Sequence, residues 1–204
     1  MPRPAVRGGA LIAVGLVLLE GSRRVIARPG VSAIEERIFR AVNDAPDAIV
    51  VPVRAWMQAG TFATVPVASA VALAAGRRRL ASGLAVGGTA AWLLAKAVKP
   101  LGGRARPGGL VDRVRIREVI AGDLGWVSGH TAVATTLVVV AWPWLPVAAR
   151  PLAAATVVAT GFGRMYVGAH TPFDLAGGAG LGLVIGGLVR ARSDRPPPQG
   201  PPSP

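Results

Sequence analysis

The sequence predicts an all-α fold, a six-span transmembrane helical bundle with a short interfacial amphipathic helix between the first two spans. This prediction rests on three features of the composition. Of the 204 residues 51 % are hydrophobic, the mean hydropathy is +0.48, and 27 residues are glycine, which is unusual for a water-soluble domain of this size. A soluble bundle of six buried helices is the weaker alternative, because too few polar faces remain to cover such a bundle.

Six apolar stretches account for the predicted spans. They cover residues 8–19, 61–76, 80–98, 131–149, 152–162 and 173–189. Several are shorter than the ~20 residues of a straight spanning helix, so helix ends must extend into flanking residues or the bilayer must thin locally. The first stretch could instead be a signal peptide cleaved at residues 25–27, but Arg23 and Arg24 lie between the apolar run and that point. An uncleaved span is therefore preferred.

A short helix is predicted between the first two spans. Ser32 and Glu35 have the spacing of a capping box, and Ile34 and Ile38 lie at helical spacing within the same segment. Such an amphipathic segment is expected to lie at the membrane interface.

Residues 1–190 are predicted to form one domain, followed by a disordered, Pro-rich tail over residues 191–204. The formal net charge is +13, but the Arg residues are scattered between apolar segments. This pattern argues against nucleic-acid binding and favours contact with lipid headgroups. The chain has no cysteine, which excludes disulfides, thiolate catalysis and Cys-ligated metal sites.

The two histidines of the chain, His130 and His170, each lie in a polar cluster that interrupts apolar sequence. A third cluster, residues 99–107, carries fixed positive charge with no carboxylate nearby to neutralise it. Two imidazoles with convergent Lys and Arg side chains, and no acidic metal cage, are the groups that metal-free phosphoryl transfer requires. The sequence therefore predicts this chemistry within a membrane, without a metal or other cofactor.

Membrane crossings can be counted to test whether these clusters share one site. Residues 99–130 lie between the third and fourth predicted spans, and residues 164–174 lie between the fifth and sixth. Two further crossings separate these loops, so both emerge on the same membrane face. One extra crossing between them would place the two histidines on opposite sides of the bilayer.

Three motifs, in this order, resemble the signature of the type 2 phosphatidic acid phosphatases, the PAP2 superfamily. The first motif is Lys99 followed after six residues by Arg106-Pro107, and the second is Ser128-Gly129-His130. The third is Arg164 followed after five residues by His170 and after three more by Asp174. Any one motif alone is weakly specific, whereas all three with correct spacing form a strong signal. Two positions depart from the family pattern, with Gly163 where Ser is usual and Val127 where Pro is usual.

The resemblance implies a role for each motif residue. His170 is expected to attack phosphorus and form a phosphohistidine, with Asp174 orienting its ring. His130 is expected to act as the general acid and later to activate water. The remaining motif residues are expected to bind the phosphate, and they are Lys99, Arg106, Ser128, Gly129 and Arg164.

Some of these residues, and some of their neighbours, also have a structural interpretation. Asp174 follows Thr171 and Pro172 in the pattern of a helix start, a role that is compatible with catalysis. Lys96 is either a snorkelling side chain or an accessory charge, and it is left out of the site. The five Trp residues and four further Arg residues are interpreted as interfacial anchors. These Arg residues are Arg104, Arg113, Arg115 and Arg117.

The resemblance also implies a substrate class, a phosphorylated lipid of the phosphatidate type or a polyprenyl diphosphate, hydrolysed at the cell membrane. The alternative is a catalytically idle membrane protein that binds or moves such a lipid, although binding alone would need the cations and not both histidines. The Lys and Arg content of the site loops suggests a cytoplasmic site. An exoplasmic site is common in the bacterial members that the chain resembles, and we adopt that expectation.

Cysteine labelling would test the predicted topology. If the chain crosses six times, positions 104 and 168 lie on one membrane face, while positions 78 and 150 lie on the other. Single cysteines in this cysteine-free chain can be labelled with an impermeant thiol reagent in intact cells, with permeabilised cells as the control. Labelling of 104 and 168 from opposite sides would contradict a shared site, and labelling of both only from outside would place the site on the exoplasmic face.

Overall fold

Eight α-helices make up the fold in the computed structural model, which describes residues 8–193. They are α1 (Gly8–Ile26), α2 (Ala33–Asn43), α3 (Val50–Met57), α4 (Thr64–Ala74), α5 (Arg78–Gly102), α6 (Gly129–Ala141), α7 (Arg150–Tyr166) and α8 (Pro172–Ser193). Within residues 8–193, β pairing is limited to one isolated antiparallel bridge between Ala105 and Leu124. Each of the six apolar stretches coincides with a helix, and the prediction of an all-α fold is confirmed.

Two of these helices, α5 and α8, are long and apolar enough to cross a membrane. A third candidate combines residues 47–60 with α4, and its two parts are bent by 66°. The described residues thus contain two or three candidate spans by length and composition. Six crossings stay a prediction.

Helix α2 begins where the sequence predicts, since the Ser32 side chain accepts a hydrogen bond from the Glu35 backbone N–H at 3.3 Å. It packs against the protein through Glu35, Phe39 and Asn43, which are 1–2 % exposed. Ile34 and Ile38 face outward, 57 % and 44 % exposed. The helix is therefore amphipathic, with its apolar side turned away from the protein. That orientation suits an interfacial position, which stays a prediction.

Helix α8 lies at the centre of the bundle and contacts α1 and α6 through glycine. Toward α1, Cβ atoms at Gly180 and Gly187 would lie 2.7 Å and 2.9 Å from backbone oxygens of that helix. Toward α6, a Cβ atom at Gly182 would lie 2.6 Å from the Ala132 carbonyl oxygen. Small residues allow backbones to approach this closely where burial of apolar surface gives little driving force.

Helix α5 is longer than expected at its C-terminal end. The third predicted span ends at residue 98, but the helix continues through Pro100 and Gly102 and ends where Gly103 adopts φ +57°. A left-handed glycine is a common helix terminator, since it lacks the Cβ atom that disfavours this conformation. Lys99 therefore lies in the last turn of a helix and not in a loop.

The sequence also made predictions for Trp126, the C-terminal tail and Arg104. Trp126 was expected at the membrane interface, but it is 3 % exposed and its indole N–H donates to the Ser22 hydroxyl of α1 at 3.1 Å. At the C-terminus, α8 extends to Ser193, and the rest of the predicted disordered tail lies outside the described residues. Arg104 is also buried, at 6 % exposure, whereas Val119 in the same loop is fully exposed. Val119 is therefore the better position for cysteine labelling.

The contact between α1 and α8 predicts opposite effects for two matched substitutions in α1. Gly15→Ala would place a Cβ atom 2.6 Å from the Gly180 carbonyl oxygen, whereas Gly21→Ala meets nothing within 4 Å. Alanine favours helix over glycine by up to ~1 kcal/mol. We therefore expect Gly15→Ala to lower the thermal unfolding temperature in detergent by several degrees, and Gly21→Ala to leave it unchanged or raised. Equal shifts for both variants would contradict a close α1–α8 contact.

Candidate active site

A cavity of about 410 Å³ lies where the last turns of α5 and α7 meet the beginnings of α6 and α8. Six of the eight sequence-predicted site residues line it, and they are Lys99, Arg106, Gly129, His130, Arg164 and His170. The other two, Ser128 and Asp174, are fully buried behind its wall. The structure therefore brings all three sequence motifs together at one end of the bundle.

His170 and Asp174 form the most buried part of this cluster. The His170 Nδ1 atom lies 3.5 Å from Asp174 Oδ2, and the same oxygen accepts the Thr171 backbone N–H at 2.9 Å. The Ser128 backbone N–H donates to the Asp174 carbonyl oxygen at 2.9 Å. Asp174 thus contacts the ring, receives an N–H at the start of α8, and connects α8 to the start of α6.

The environment of His170 keeps its imidazole neutral. Burial lowers the pKa of His170 well below the ordinary histidine value, and the charges of Arg164, Lys99 and Arg106 lower it further. A hydrogen bond to the Gly125 backbone acts in the opposite direction. A neutral imidazole with Nδ1 turned toward a carboxylate leaves Nε2 as the nitrogen able to attack an electrophile.

A buried ion pair lies directly behind Asp174. Arg104 donates from Nη1 and Nη2 to Glu35 Oε1 and Oε2 at 2.9 Å and 2.8 Å, and its Nη1 is 4.0 Å from Asp174 Oδ1. The interpretation of Arg104 as an interfacial anchor is therefore wrong. The bidentate geometry orients the guanidinium group, and its charge compensates the buried Asp174 carboxylate.

Two of the cavity cations are hydrogen bonded to backbone carbonyl groups. The Lys99 ammonium donates to the carbonyl oxygens of Leu124, Gly125 and Val127 at 2.9–3.1 Å. The Arg106 guanidinium donates to three more, those of Ala121, Gly122 and Ala169, at 2.6–2.9 Å. Both cations thus fix the loop that precedes α6 while they line the cavity.

Arg164 has a carboxylate partner that the sequence did not predict. It is 5 % exposed, and its Nη1 donates to Glu118 Oε1 and also lies 4.0 Å from the Met57 sulfur. Glu118 itself lines the cavity. Glu118 therefore neutralises part of the charge of Arg164 within the cavity.

Arg117 determines where Glu118 lies. Its guanidinium donates to the carbonyl oxygens of Asn43, Tyr166 and Ala45 at 2.7–3.0 Å and packs 4.1 Å above the Tyr166 ring. Its Nε also pairs with Asp47 at 2.8 Å. The interpretation of Arg117 as an interfacial anchor is therefore wrong, since its side chain holds the loop against α2 and α7.

Ser128 and the two departures from the family pattern have local structural explanations. The Ser128 hydroxyl oxygen caps α6 and accepts from the backbone N–H and the hydroxyl of Thr131 at 3.4 Å and 3.0 Å. A Cβ atom at Gly163 would lie 2.9 Å from the Met57 Cβ atom, so this position suits glycine in the packing of α7 on α3. Val127 is fully buried, and its carbonyl oxygen accepts from Lys99.

Sequence reasoning missed four residues around the cavity, namely Glu35, Arg104, Glu118 and Lys96. Glu35 and Glu118 lie 69 and 46 residues from the arginines that they contact, so no local pattern connects them. Lys96 had a local signal, because it lies one helical turn before Lys99. Together the side chains at this cavity supply two imidazoles and several cations, which suits the binding of an anion and the transfer of a phosphoryl group.

Comparison with known proteins finds one family and two solved structures that resemble this chain. A family model described as the PAP2 superfamily matches residues 78–195, which include all three motifs. The crystal structure of Aquifex aeolicus LpxE has a TM-score of 0.70 and 21 % identity, over 78 % of this chain and 95 % of that chain. The crystal structure of a transmembrane PAP2 type phosphatidylglycerolphosphate phosphatase from Bacillus subtilis has a TM-score of 0.70 and 20 % identity, over 93 % and 97 %. No curated protein sequence matches the chain.

Proposed function

Because this chain belongs to the PAP2 superfamily, we propose that it is a phosphatase that hydrolyses a phosphorylated lipid through a phosphohistidine formed on His170, without a metal ion. One observation carries this proposal. His130, His170 and the three motif cations, Lys99, Arg106 and Arg164, line the same cavity. A cavity of this kind can hold a phosphate group between a nucleophile and a proton donor.

In the first step, His170 Nε2 attacks the phosphorus atom, and the bond from phosphorus to the leaving oxygen breaks. His130, from the first turn of α6, donates a proton to that oxygen once the negative charge of bound phosphate offsets the burial and the charge of Arg164 that otherwise lower its pKa to about 3. The Asp174 carboxylate stabilises the positive charge that develops on the His170 ring, and the 3.5 Å separation would shorten as that charge forms. In the second step, His130 takes a proton from water, which attacks phosphorus and releases phosphate and free His170.

The cations contribute in different ways. The three hydrogen bonds of Lys99 to carbonyl groups engage the donors of its ammonium, so Lys99 acts on phosphate through its charge. Arg106 has five N–H donors and uses three of them on carbonyl groups. Its remaining donors, and those of Arg164, are available to phosphate oxygens, where negative charge increases in the transition state.

Glu118 places a negative charge beside phosphate bound at Arg164. Its carboxylate accepts from Nη1 of Arg164 and also lines the cavity, while the other donors of Arg164 are left for phosphate oxygens. The two anions repel each other, so phosphate binding weakens the contact between Glu118 and Arg164. Glu118 is thereby a competitor of phosphate within the site, and the affinity for simple anions is lower than the cations alone would give.

The substrate is proposed to be a lipid because the cavity adjoins apolar helices. Exposed Leu93 and Leu94 lie on α5 between the cavity residues Trp92 and Ala95, so a lipid chain can lie along the helix while its phosphate enters the cavity. The phosphatidylglycerolphosphate phosphatase of Bacillus subtilis resembles this chain over most of its length, which supports a phosphorylated lipid. We further propose a multi-pass protein of the cell membrane with this cavity at the exoplasmic face.

An idle protein that binds a phosphorylated lipid remains the second candidate. The pairing of Arg164 with Glu118 favours it in one respect, because a carboxylate at the anion site would make lipid binding reversible. The presence of His170 beside a buried carboxylate favours catalysis, since binding a phosphate needs neither group.

Replacement of His170 distinguishes a phosphatase from an idle protein that only binds a phosphorylated lipid. We expect His170→Ala to lower turnover of a lipid phosphate by at least about 1,000-fold, because the covalent route has no substitute nucleophile. His130→Ala is the matched control, since it removes a histidine but keeps the nucleophile. An aryl phosphate with a radiolabelled phosphate group has a leaving group that departs without a proton from His130. With this substrate, His130→Ala should accumulate an acid-labile phosphoenzyme, and His170→Ala should form none.

A phosphoenzyme in the His170→Ala variant would contradict the assignment of the nucleophile. Excess EDTA in the same assays should leave the wild-type rate unchanged. Inhibition by EDTA that a divalent ion reverses would contradict the metal-free route.

Replacement of Glu118 tests its competition with phosphate. Glu118→Gln keeps the shape of the side chain and removes its charge, so we expect vanadate and inorganic phosphate to inhibit roughly tenfold more strongly. Asp112→Asn is the matched control, because Asp112 is an exposed acid in the same loop. Equal effects of both substitutions would indicate a general charge effect, and weaker inhibition of Glu118→Gln would show that Glu118 supports anion binding.

A further inference from the structure

Lys96 lies on the face of α5 that forms one wall of the cavity. Trp92, Ala95, Lys96 and Lys99 are spaced at i, i+3, i+4 and i+7, and all four line the cavity. Residues with this spacing share one face of a helix. Lys96 is therefore directed along the same wall as Lys99, one turn farther from the histidines.

An aromatic pair holds the Lys96 ammonium at this wall. Its Nζ atom lies 3.5 Å from the centroid of the Trp92 ring, a distance at which the ring attracts a cation. The Trp92 ring in turn packs against Phe62, with centroids 4.6 Å apart, and Phe62 also lines the cavity. The Trp92 ring thus holds the ammonium beside the cavity, although Lys96 is an exposed residue.

Lys96 differs from the other cavity cations in what it contacts. Lys99 and Arg106 donate to backbone carbonyl groups, and Arg164 donates to Glu118. Among residues 8–193, the contact found for the Lys96 ammonium is the Trp92 ring, and no carboxylate of this part of the chain forms an ion pair with it. Because a ring occupies one side of the ammonium only, its N–H donors can reach an anion in the cavity.

We propose that Lys96 and Trp92 form a second anion subsite, which holds the lipid-bound phosphate of a diphosphate while the terminal phosphate is transferred. This inference rests on the proposed function, since it assumes that phosphate reacts at His170. It assigns lipid diphosphates as the preferred substrate class. A phosphate monoester places no second anionic group beside the reacting phosphate and leaves the subsite unused.

The subsite acts on the leaving group of the reaction. His170 Nε2 bonds to the terminal phosphorus, and the bond from that phosphorus to the bridging oxygen breaks. The electron pair of this bond remains on the bridging oxygen, so negative charge increases on the lipid monophosphate as it leaves. The Lys96 ammonium stabilises that charge, and its contribution is greater in the transition state than in the bound substrate. Water then releases the terminal phosphate from His170.

The experiment compares initial rates on farnesyl diphosphate and farnesyl monophosphate in detergent micelles, which differ by one phosphate. We expect wild-type protein to prefer the diphosphate. Lys96→Gln should lower kcat/KM for the diphosphate by about tenfold and change that for the monophosphate by less than about twofold. Lys96→Arg keeps the charge and should retain most of the preference. Activity on the monophosphate shows that each variant is folded.

Arg79→Gln is the matched control, because it removes a positive charge from the opposite end of α5 and should leave the ratio of the two rates unchanged. An equal loss of kcat/KM on both substrates in Lys96→Gln would overturn the subsite, and so would no loss on either substrate. A wild-type preference for the monophosphate would overturn it as well. Wild-type protein that hydrolyses neither substrate would instead refute the proposed function. The wild-type rates alone therefore distinguish the two failures.

Discussion

Burial of the Asp174 carboxylate is the constraint on which the rest of the site depends. This group is fully excluded from solvent, and an uncompensated charge in such a position costs several kcal/mol. The Thr171 N–H and the Arg104 guanidinium compensate it, and Arg104 needs Glu35 in turn because it is itself buried. The amphipathic helix α2 is therefore part of the site, because its Glu35 carboxylate pairs with Arg104, which in turn lies beside Asp174.

The loop between α5 and α6 shows how one set of cations can serve structure and chemistry together. A loop that passes under a cavity presents backbone carbonyl groups that need hydrogen-bond donors. Lys99 and Arg106 supply these donors from either side of the loop. Burial and the charge of Arg164 lower the pKa of His170, and the charges of Lys99 and Arg106 beside the cavity lower it further. The same two side chains thus hold the loop and contribute to keeping the nucleophile neutral.

Glycine residues in α8 help to fix the distance between the Asp174 carboxylate and the His130 imidazole. Gly178, Gly182 and Gly186 recur every four residues and contact α6, while Gly180 and Gly187 contact α1. Because α8 begins just before Asp174 and α6 begins just before His130, close packing of these helices limits how far the carboxylate and the second imidazole can move apart. In a membrane, where apolar burial contributes little to helix association, such contacts supply much of the packing energy.

The sequence by itself determined the approximate positions of every described helix except α3, together with the three motifs and their order, because hydrophobic runs and motif spacings are local properties of a chain. Six predicted site residues line one cavity, and the other two lie directly behind it. Only the tertiary structure decided the partners of the charges. Arg104 and Arg117 looked like any other basic residues in a loop, and nothing in the sequence indicated the acidic partner of the motif residue Arg164. The partners of all three come from segments far away in the chain. Ion pairs and buried hydrogen bonds depend on proximity in space, and a sequence with no structure does not record which distant residues meet.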